Sequence, residues 1–228
     1  MPSYARQHQL QRSLVYHAFN RSNGRKMIFE EPDDFEHFKE LLQEYSARFD
    51  AQIYHWVVMS NHYHLVIEFE YPELVSKFMA GLHRAYSHYY HSRHGTVGFL
   101  WQGRFKLQPI QKDLYLKGCG RYVERNPVRA GLVAEACEYK YSSAQFYCIG
   151  KNDGLTQASP CFEDFGRDAA TRQHACKEFL RTFDSEEEKY FSNIEIPCGN
   201  KEFVRRLIKV GKHFMPRRQG RKAGVFLS

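Results

Sequence analysis

Polar and apolar positions alternate most clearly over residues 61–68, NHYHLVIE. Successive side chains of a β-strand point to opposite faces, so His62, His64 and Glu68 are expected on one face of a sheet. The intervening side chains are all apolar, which predicts that the opposite face packs on the core. Two histidines side by side on an open sheet face are a candidate platform for a divalent metal ion.

The rest of the pattern predicts an α+β domain. Strand character appears over residues 14–21, 52–59 and from 105 onward, and apolar positions at helical spacing predict helices over 35–49, 72–93 and 114–125. Asp33 or Asp34 is expected to cap the first of these helices and Asp113 the third. The order strand, helix, strand, strand, helix, strand is that of a ferredoxin-like split βαβ fold. Its antiparallel sheet would carry helices on one face and leave the other face for a ligand.

A change of composition after residues 150–154 predicts two parts, a domain over 1–150 and a mostly helical extension over 151–228. The acidic run 186–188 is expected to be a solvated helix face, and Val204, Leu207 and Ile208 predict one more helix. The basic tail 209–224, with Arg217 and Arg218, is interpreted as an arm that contacts phosphates, with a solubilising terminus as the alternative. No function can be argued for 155–195.

Charge and cysteine content indicate the type of binding partner and the cellular compartment. A net charge of +7 favours polyanions, nucleic acid first and an anionic membrane surface second. The first 13 residues contain no apolar stretch typical of a signal peptide, and no window approaches the roughly 18 apolar residues of a membrane span. The six cysteines form no Cys-x-x-Cys pair, which argues against a zinc knuckle or a disulfide framework. A cytoplasmic protein without membrane association is expected.

A tyrosine on the third predicted helix gives the histidines a chemical context. Tyr122 and Asn126 are four residues apart and so share a helix face, among several arginines. A phenol is a weak nucleophile unless its target is polarised, and a divalent metal ion bound to the scissile phosphate supplies that polarisation. Two histidines and one amide oxygen would hold such an ion and leave positions open for DNA oxygens. Attack by a tyrosine would leave a 5′-phosphotyrosyl intermediate and a free 3′-hydroxyl.

Three stretches resemble the REP-associated tyrosine transposases, which are single-tyrosine members of the HUH nuclease superfamily. They are NHYHLVIE (61–68), HGTVGFLWQGRFK (94–106) and RYVERNPVRAGLV (121–133), and the similarity extends over about 14–147. The resemblance implies a fold of the HUH endonuclease type, with His62 and His64 as ligands of Mg²⁺ or Mn²⁺. It implies Tyr122 as the nucleophile, and Asn126 as the third ligand or a neighbour of the metal. The implied partner is single-stranded DNA folded into REP-like palindromic hairpins, bound by a monomer or a homodimer.

Several other residues are candidates for DNA contact or catalysis. Seven arginines and lysines are candidate DNA contacts: Arg104, Lys106, Arg121, Arg125, Arg129, Arg217 and Arg218. Tyr115 is a second candidate nucleophile, with core packing as its alternative, and Trp101 and Phe105 are expected either to stack on bases or to anchor a loop. The rival functions are a nucleic-acid-binding protein without cleavage and a zinc hydrolase built on the histidines.

Overall fold

A computed structural model describes residues 14–192 and 197–211 of the chain. Its one four-stranded sheet is antiparallel, with the strand order β2-β3-β1-β4. The strands are β1 (Val15–Arg21), β2 (Ala51–Met59), β3 (His62–Phe69) and β4 (Lys106–Ile110). The predicted α+β fold with its antiparallel sheet is confirmed.

Helices lie on both faces of the sheet. On one face, α1 (Pro32–Phe49) and α2 (Leu74–His94) pack on a core that includes the apolar side of β3, as the alternation predicts. On the other face, α3 (Leu114–Glu124) packs against β2 and β3 in a second core. The expectation that this second face stays free of helices is therefore wrong over the area that α3 covers. The remaining helices are α4 (Asn126–Arg129), α5 (Ala144–Ile149), α6 (Ala169–Arg181), α7 (Ser185–Ser192) and α8 (Lys201–Gly211).

The predicted helix ends are confirmed at one position and corrected at another. The Asp113 carboxylate accepts a hydrogen bond from the Tyr115 amide and caps α3, as expected. The N-cap of α1 is Glu31 instead of an aspartate, and Asp34 completes a capping box by accepting from the Glu31 amide. At the start of α1, the acidic side chain at the third helical position therefore caps the helix together with the N-cap residue.

Asn126 lies in a separate short helix from Tyr122. The structure ends α3 at Glu124, one residue before the predicted end, and begins α4 at Asn126. The connecting residue Arg125 nevertheless keeps a right-handed helical backbone, with φ −83° and ψ −4°. The two side chains therefore remain one helical turn apart.

The extension beyond residue 150 packs on both cores. Leu155, Phe203 and Leu207 join the first core, and Phe191 and Cys198 join the second. The Cys198 segment also hydrogen-bonds the edge strand β4, through its amide to the Pro109 carbonyl. All six cysteines are free thiols. None of the helices in the described part of the chain has the length and apolar character needed to span a membrane. The tail arginines 217 and 218 lie outside the described residues.

Close contact between α3 and β2 depends on a glycine. A Cβ placed on Gly120 would lie 2.6 Å from atoms of the buried His55 ring, which itself hydrogen-bonds Glu124 at 2.8 Å. We expect Gly120→Ala to lower the free energy of unfolding by about 1–3 kcal/mol, because the ring or the helix must shift. Denaturant unfolding measures this loss. The cost of Gly120→Ala should shrink in a His55→Ala background, and an unchanged cost would contradict the close contact as its cause.

Candidate active site

The two candidate ligand histidines lie on the sheet face that α3 covers. The ring centroids of His62 and His64 are 5.3 Å apart, and the rings are nearly perpendicular at 86°. His64 is buried and His62 is half-buried. Burial lowers the pKa of His62 to about 4 and holds that of His64 well below its usual value. Both rings are therefore neutral at neutral pH, the state in which an imidazole nitrogen can bind a metal ion.

Both histidines use Nδ1 for a hydrogen bond inside the protein. The Asn61 amide nitrogen donates to the Arg25 carbonyl, so Asn61 Oδ1 faces His62 and accepts from His62 Nδ1 at 2.6 Å. His64 Nδ1 lies 2.7 Å from His17 Nε2. With Nδ1 occupied in each ring, the two Nε2 atoms are the nitrogens left for another ligand.

Tyr122 is packed against these histidines. Its ring centroid is 5.7 Å from that of His64, edge to face, and the side chain is only 6% exposed. The guanidinium carbon of Arg129 lies 4.6 Å from the centre of the Tyr122 ring. Burial raises the pKa of Tyr122, and the charge and hydrogen bond of Arg129 act against that rise. The site therefore holds a neutral phenol next to a permanent cation.

Asn126 directs its side-chain oxygen into the same site. Its amide nitrogen donates to the carbonyls of Tyr122 and Val123, at 3.0 and 3.1 Å, which leaves Oδ1 facing away from α3. Oδ1 accepts a hydrogen bond from Arg129 Nη2 at 2.6 Å. A hydrogen bond with the Asn126 side chain also partly offsets the lowering of the His62 pKa by burial. Asn126 thus meets both His62 and Arg129.

The donor set fits a divalent metal ion held by two imidazole nitrogens and an amide oxygen. In the described part of the chain, no group of three or more histidine, cysteine or acidic side chains is placed to hold a metal ion. Asn126, whose side chain hydrogen-bonds His62, is the candidate for a third ligand. Glu68 shares the strand face but pairs with Lys112 and accepts from the Tyr54 hydroxyl at 2.7 Å. Imidazole and amide donors with open positions suit an ion that must also bind substrate oxygens.

Arg121, Arg125 and Arg129 contact the extension beyond residue 150. Arg121 forms an ion pair with Glu187 at 2.7 Å, and Arg129 pairs with Glu188. Arg125 donates to the Leu180 carbonyl at 2.5 Å. The expectation that 186–188 is only a solvated helix face is therefore wrong for two of its three glutamates, because a charge run does not reveal which arginines the fold brings opposite to it.

Two residues of the site were missed by sequence reasoning. Phe191 of α7 is 2% exposed and its ring lies 5.7 Å from that of Tyr122, so the extension covers the tyrosine. His17 of β1 is fully buried beside His64. The only sequence signals were an apolar residue in a polar helix and a histidine within an apolar strand, and neither identifies its partner.

Packing bears on the alternative roles predicted for Tyr115 and Trp101. Tyr115 is partly buried and packs against the second core, to which Tyr122 also belongs. Trp101 packs on the first core and its indole nitrogen donates to Ser87 at 3.1 Å, which favours the loop-anchoring role. Arg104 and Lys106 are exposed.

The fold is α+β, an antiparallel sheet with paired histidines on the inner strand β3 and Tyr122 on the helix that packs across them. Residues 11–126 match the family described as Transposase IS200 like, and the chain belongs to that family. A solved structure of a REP-associated tyrosine transposase bound to a REP hairpin aligns with a TM-score of 0.53 at 17% identity, covering 69% of this chain and 92% of that one. The predicted resemblance is thereby confirmed at the level of the fold. No curated protein gave a significant match.

Proposed function

We propose that the protein is a metal-dependent endonuclease and strand transferase for single-stranded DNA, which cleaves and rejoins hairpin-forming palindromic repeats through a 5′-phosphotyrosine. The observation that carries the proposal is the contact of the Tyr122 ring with His64, with Arg129 lying over that ring and hydrogen-bonded to Asn126. Membership of a transposase family supports DNA cleavage and strand transfer, and the fold match to a hairpin-bound protein supports hairpin DNA as the partner.

In this mechanism Tyr122 is the nucleophile. Its phenol oxygen forms a bond to phosphorus, the bond from phosphorus to the 3′ oxygen breaks, and the phenol proton is balanced by protonation of that leaving oxygen. The raised pKa of Tyr122 means that the phenol must lose its proton in the reaction, and the adjacent Arg129 cation favours the phenolate that forms. Rejoining reverses these steps, since the phosphotyrosine keeps the energy of the phosphodiester.

His62, His64 and Asn126 are proposed to hold Mg²⁺ or Mn²⁺. When bound, the ion would supply Lewis-acid polarisation of the scissile phosphate. The protein fixes the two imidazoles through their Nδ1 atoms, and the backbone of α3 fixes the Asn126 amide, whose side chain also hydrogen-bonds His62. Arg129 adds a second positive charge at the same place, suited to a bidentate contact with phosphate oxygens.

The proposed DNA face combines exposed and shielded cations. Arg104 and Lys106 are exposed, with Lys106 at the start of β4, and Arg121 and Arg129 form ion pairs with glutamates of α7. Phosphates that reach the shielded arginines must compete with these carboxylates. Arg125, Arg217 and Arg218 stay predicted contacts, as do the division at residue 150 and the choice between monomer and homodimer.

This competition gives a testable effect on affinity. Glu188→Gln is expected to tighten binding of a single-stranded hairpin by about two- to fivefold, the range of one exposed ion pair, because Arg129 is released for phosphate. Fluorescence anisotropy at fixed salt measures the change. Glu186→Gln is the matched control, since it removes the same charge from the same helix and pairs with Lys189 instead of an arginine. Equal tightening by both variants would indicate net charge alone and contradict the shielding of Arg129.

The proposed function is tested by incubating the protein with an end-labelled hairpin single strand and Mn²⁺. We expect cleavage and a covalent protein–DNA band that resists denaturation, and loss of both with a chelator or with fully duplex DNA. Binding without cleavage under every metal would support the rival function of a non-catalytic nucleic-acid-binding protein. Cleavage with no covalent band would indicate hydrolysis by metal-activated water.

A further inference from the structure

His17 connects the central strand of the site to the edge of the sheet. It lies on β1, is 0% exposed, and its Nε2 is 2.7 Å from Nδ1 of His64, 47 residues along the chain. Its other ring nitrogen, Nδ1, is 3.4 Å from Oε1 of Gln108 on β4. The rings of His17 and His64 are nearly parallel, with centroids 5.0 Å apart. His17 therefore links His64, which belongs to the candidate site, to Gln108, which lies outside it.

The direction of each hydrogen bond follows from the far end of this chain of contacts. The Tyr190 carbonyl on α7 can only accept, so the Gln108 atom 3.2 Å from it is the amide nitrogen. Gln108 Oε1 then faces His17 and can only accept, which places the proton of the neutral His17 ring on Nδ1. His17 Nε2 is left as an acceptor, so His64 Nδ1 must be the donor. A neutral His64 then has no proton on Nε2.

We propose that His17 is a positioning residue that holds His64 in the Nδ1-protonated tautomer and so presents Nε2 to the metal ion. This inference rests on the proposed function, because it assigns a purpose to one of its two histidine ligands. Asn61 serves His62 in the same way, with its amide fixed by the Arg25 carbonyl. Gln108 and the Tyr190 carbonyl set the direction of the His17 contact, which gives the extension a part in arranging the site.

The tautomer can be measured in the full-length protein without metal or DNA. Two-bond ¹H–¹⁵N correlation spectra of protein labelled with ¹⁵N-histidine distinguish the two neutral tautomers of each ring. We expect His64 with its proton on Nδ1, and His17 likewise. A His64 proton on Nε2 in the unmutated protein would overturn the proposal, whatever its variants do.

Two substitutions of His17 separate the hydrogen bond from packing. His17→Phe keeps a ring but removes the acceptor, and we expect Mn²⁺ binding measured by calorimetry to weaken by about 10–100-fold, with a mixed His64 tautomer. His17→Gln can place an amide oxygen near the former Nε2, and we expect it to restore the tautomer and to bind within roughly threefold of the unmutated protein. Unchanged Mn²⁺ affinity in His17→Phe would overturn the proposal.

A packing control comes from the residue paired with His17 in the sheet. Val66 lies opposite His17 in the β1–β3 register, so Val66→Ala creates a local cavity without removing a polar contact. It should lose stability but keep the His64 tautomer and the Mn²⁺ affinity. If His17→Phe does not fold, Gln108→Leu tests the same contacts, because it frees His17 to reverse its tautomer and should also weaken Mn²⁺ binding.

The His64 tautomer and the DNA adduct are measured separately, so the positioning role and the proposed function can fail independently. If the unmutated protein shows the Nδ1-protonated His64 yet forms no DNA adduct, the catalytic proposal fails and the positioning contact stands. If the adduct forms but His64 carries its proton on Nε2, the positioning role is wrong while the nuclease remains.

Discussion

Tyr122→Phe is expected to abolish the covalent protein–DNA adduct and to lower hairpin cleavage by at least about a thousandfold, because it removes the hydroxyl that is the proposed nucleophile. The phenylalanine ring retains the packing against His64 and Phe191, and the Arg129 guanidinium still lies over it. Binding of the hairpin, which rests mainly on phosphate contacts, should change by less than about threefold. Adduct formation on denaturing gels and anisotropy on the same protein measure the two quantities.

The matched control is Tyr115→Phe. It removes the same hydroxyl from the same helix, seven residues earlier, where the side chain packs on the second core. We expect it to keep the adduct. An adduct that persists in Tyr122→Phe and disappears in Tyr115→Phe would move the nucleophile to Tyr115 and overturn our assignment.

His64→Ala is the second variant for which we expect a large loss of cleavage. It removes one of the two proposed imidazole ligands and is expected to reduce cleavage by at least about a hundredfold at fixed Mn²⁺, while most of the DNA affinity remains. It also leaves His17 Nε2 without its donor in a buried place, so the free energy of unfolding should fall by about 1–3 kcal/mol. Cleavage rates, DNA affinity and denaturant unfolding are needed on the same preparation.

A second buried histidine separates loss of stability from loss of function. His55→Ala on β2 breaks the contact with Glu124, which is buried like His55 itself, and should destabilise the fold at least as much. Below its unfolding temperature it should still cleave. Cleavage that survives in His64→Ala would remove the metal platform from the mechanism, and equal loss in both variants would attribute the effect to folding.

The parts of the fold that could be predicted are those that depend on the local spacing of apolar and polar residues. The strict alternation around Leu65 and the helical spacing in α1 and α2 fix which side chains enter the core, and the structure agrees. The start of α1 was less accurate, because a capping box satisfies its first backbone groups in a way that one residue type does not reveal. The limits of α3 agree with the prediction to within one residue.

The candidate site was predictable only in part for a related reason. His62, His64, Tyr122 and Asn126 stand in short motifs, and the structure brings them together. Contacts made by distant segments have no such signal, as with His17 against His64 and Phe191 against Tyr122. Pairing of Glu187 with Arg121 likewise depends on how α7 folds back on α3, which the charge pattern does not contain.

The central claim is that Tyr122 becomes joined to DNA. The most direct measurement is mass spectrometry of the adduct formed by the unmutated protein on a hairpin single strand with Mn²⁺, after digestion of both protein and DNA. We predict a nucleotide attached through its 5′ phosphate to the peptide that contains Tyr122, with a free 3′-hydroxyl on the released strand. A 3′-linked nucleotide, or attachment to any other residue, would contradict the account.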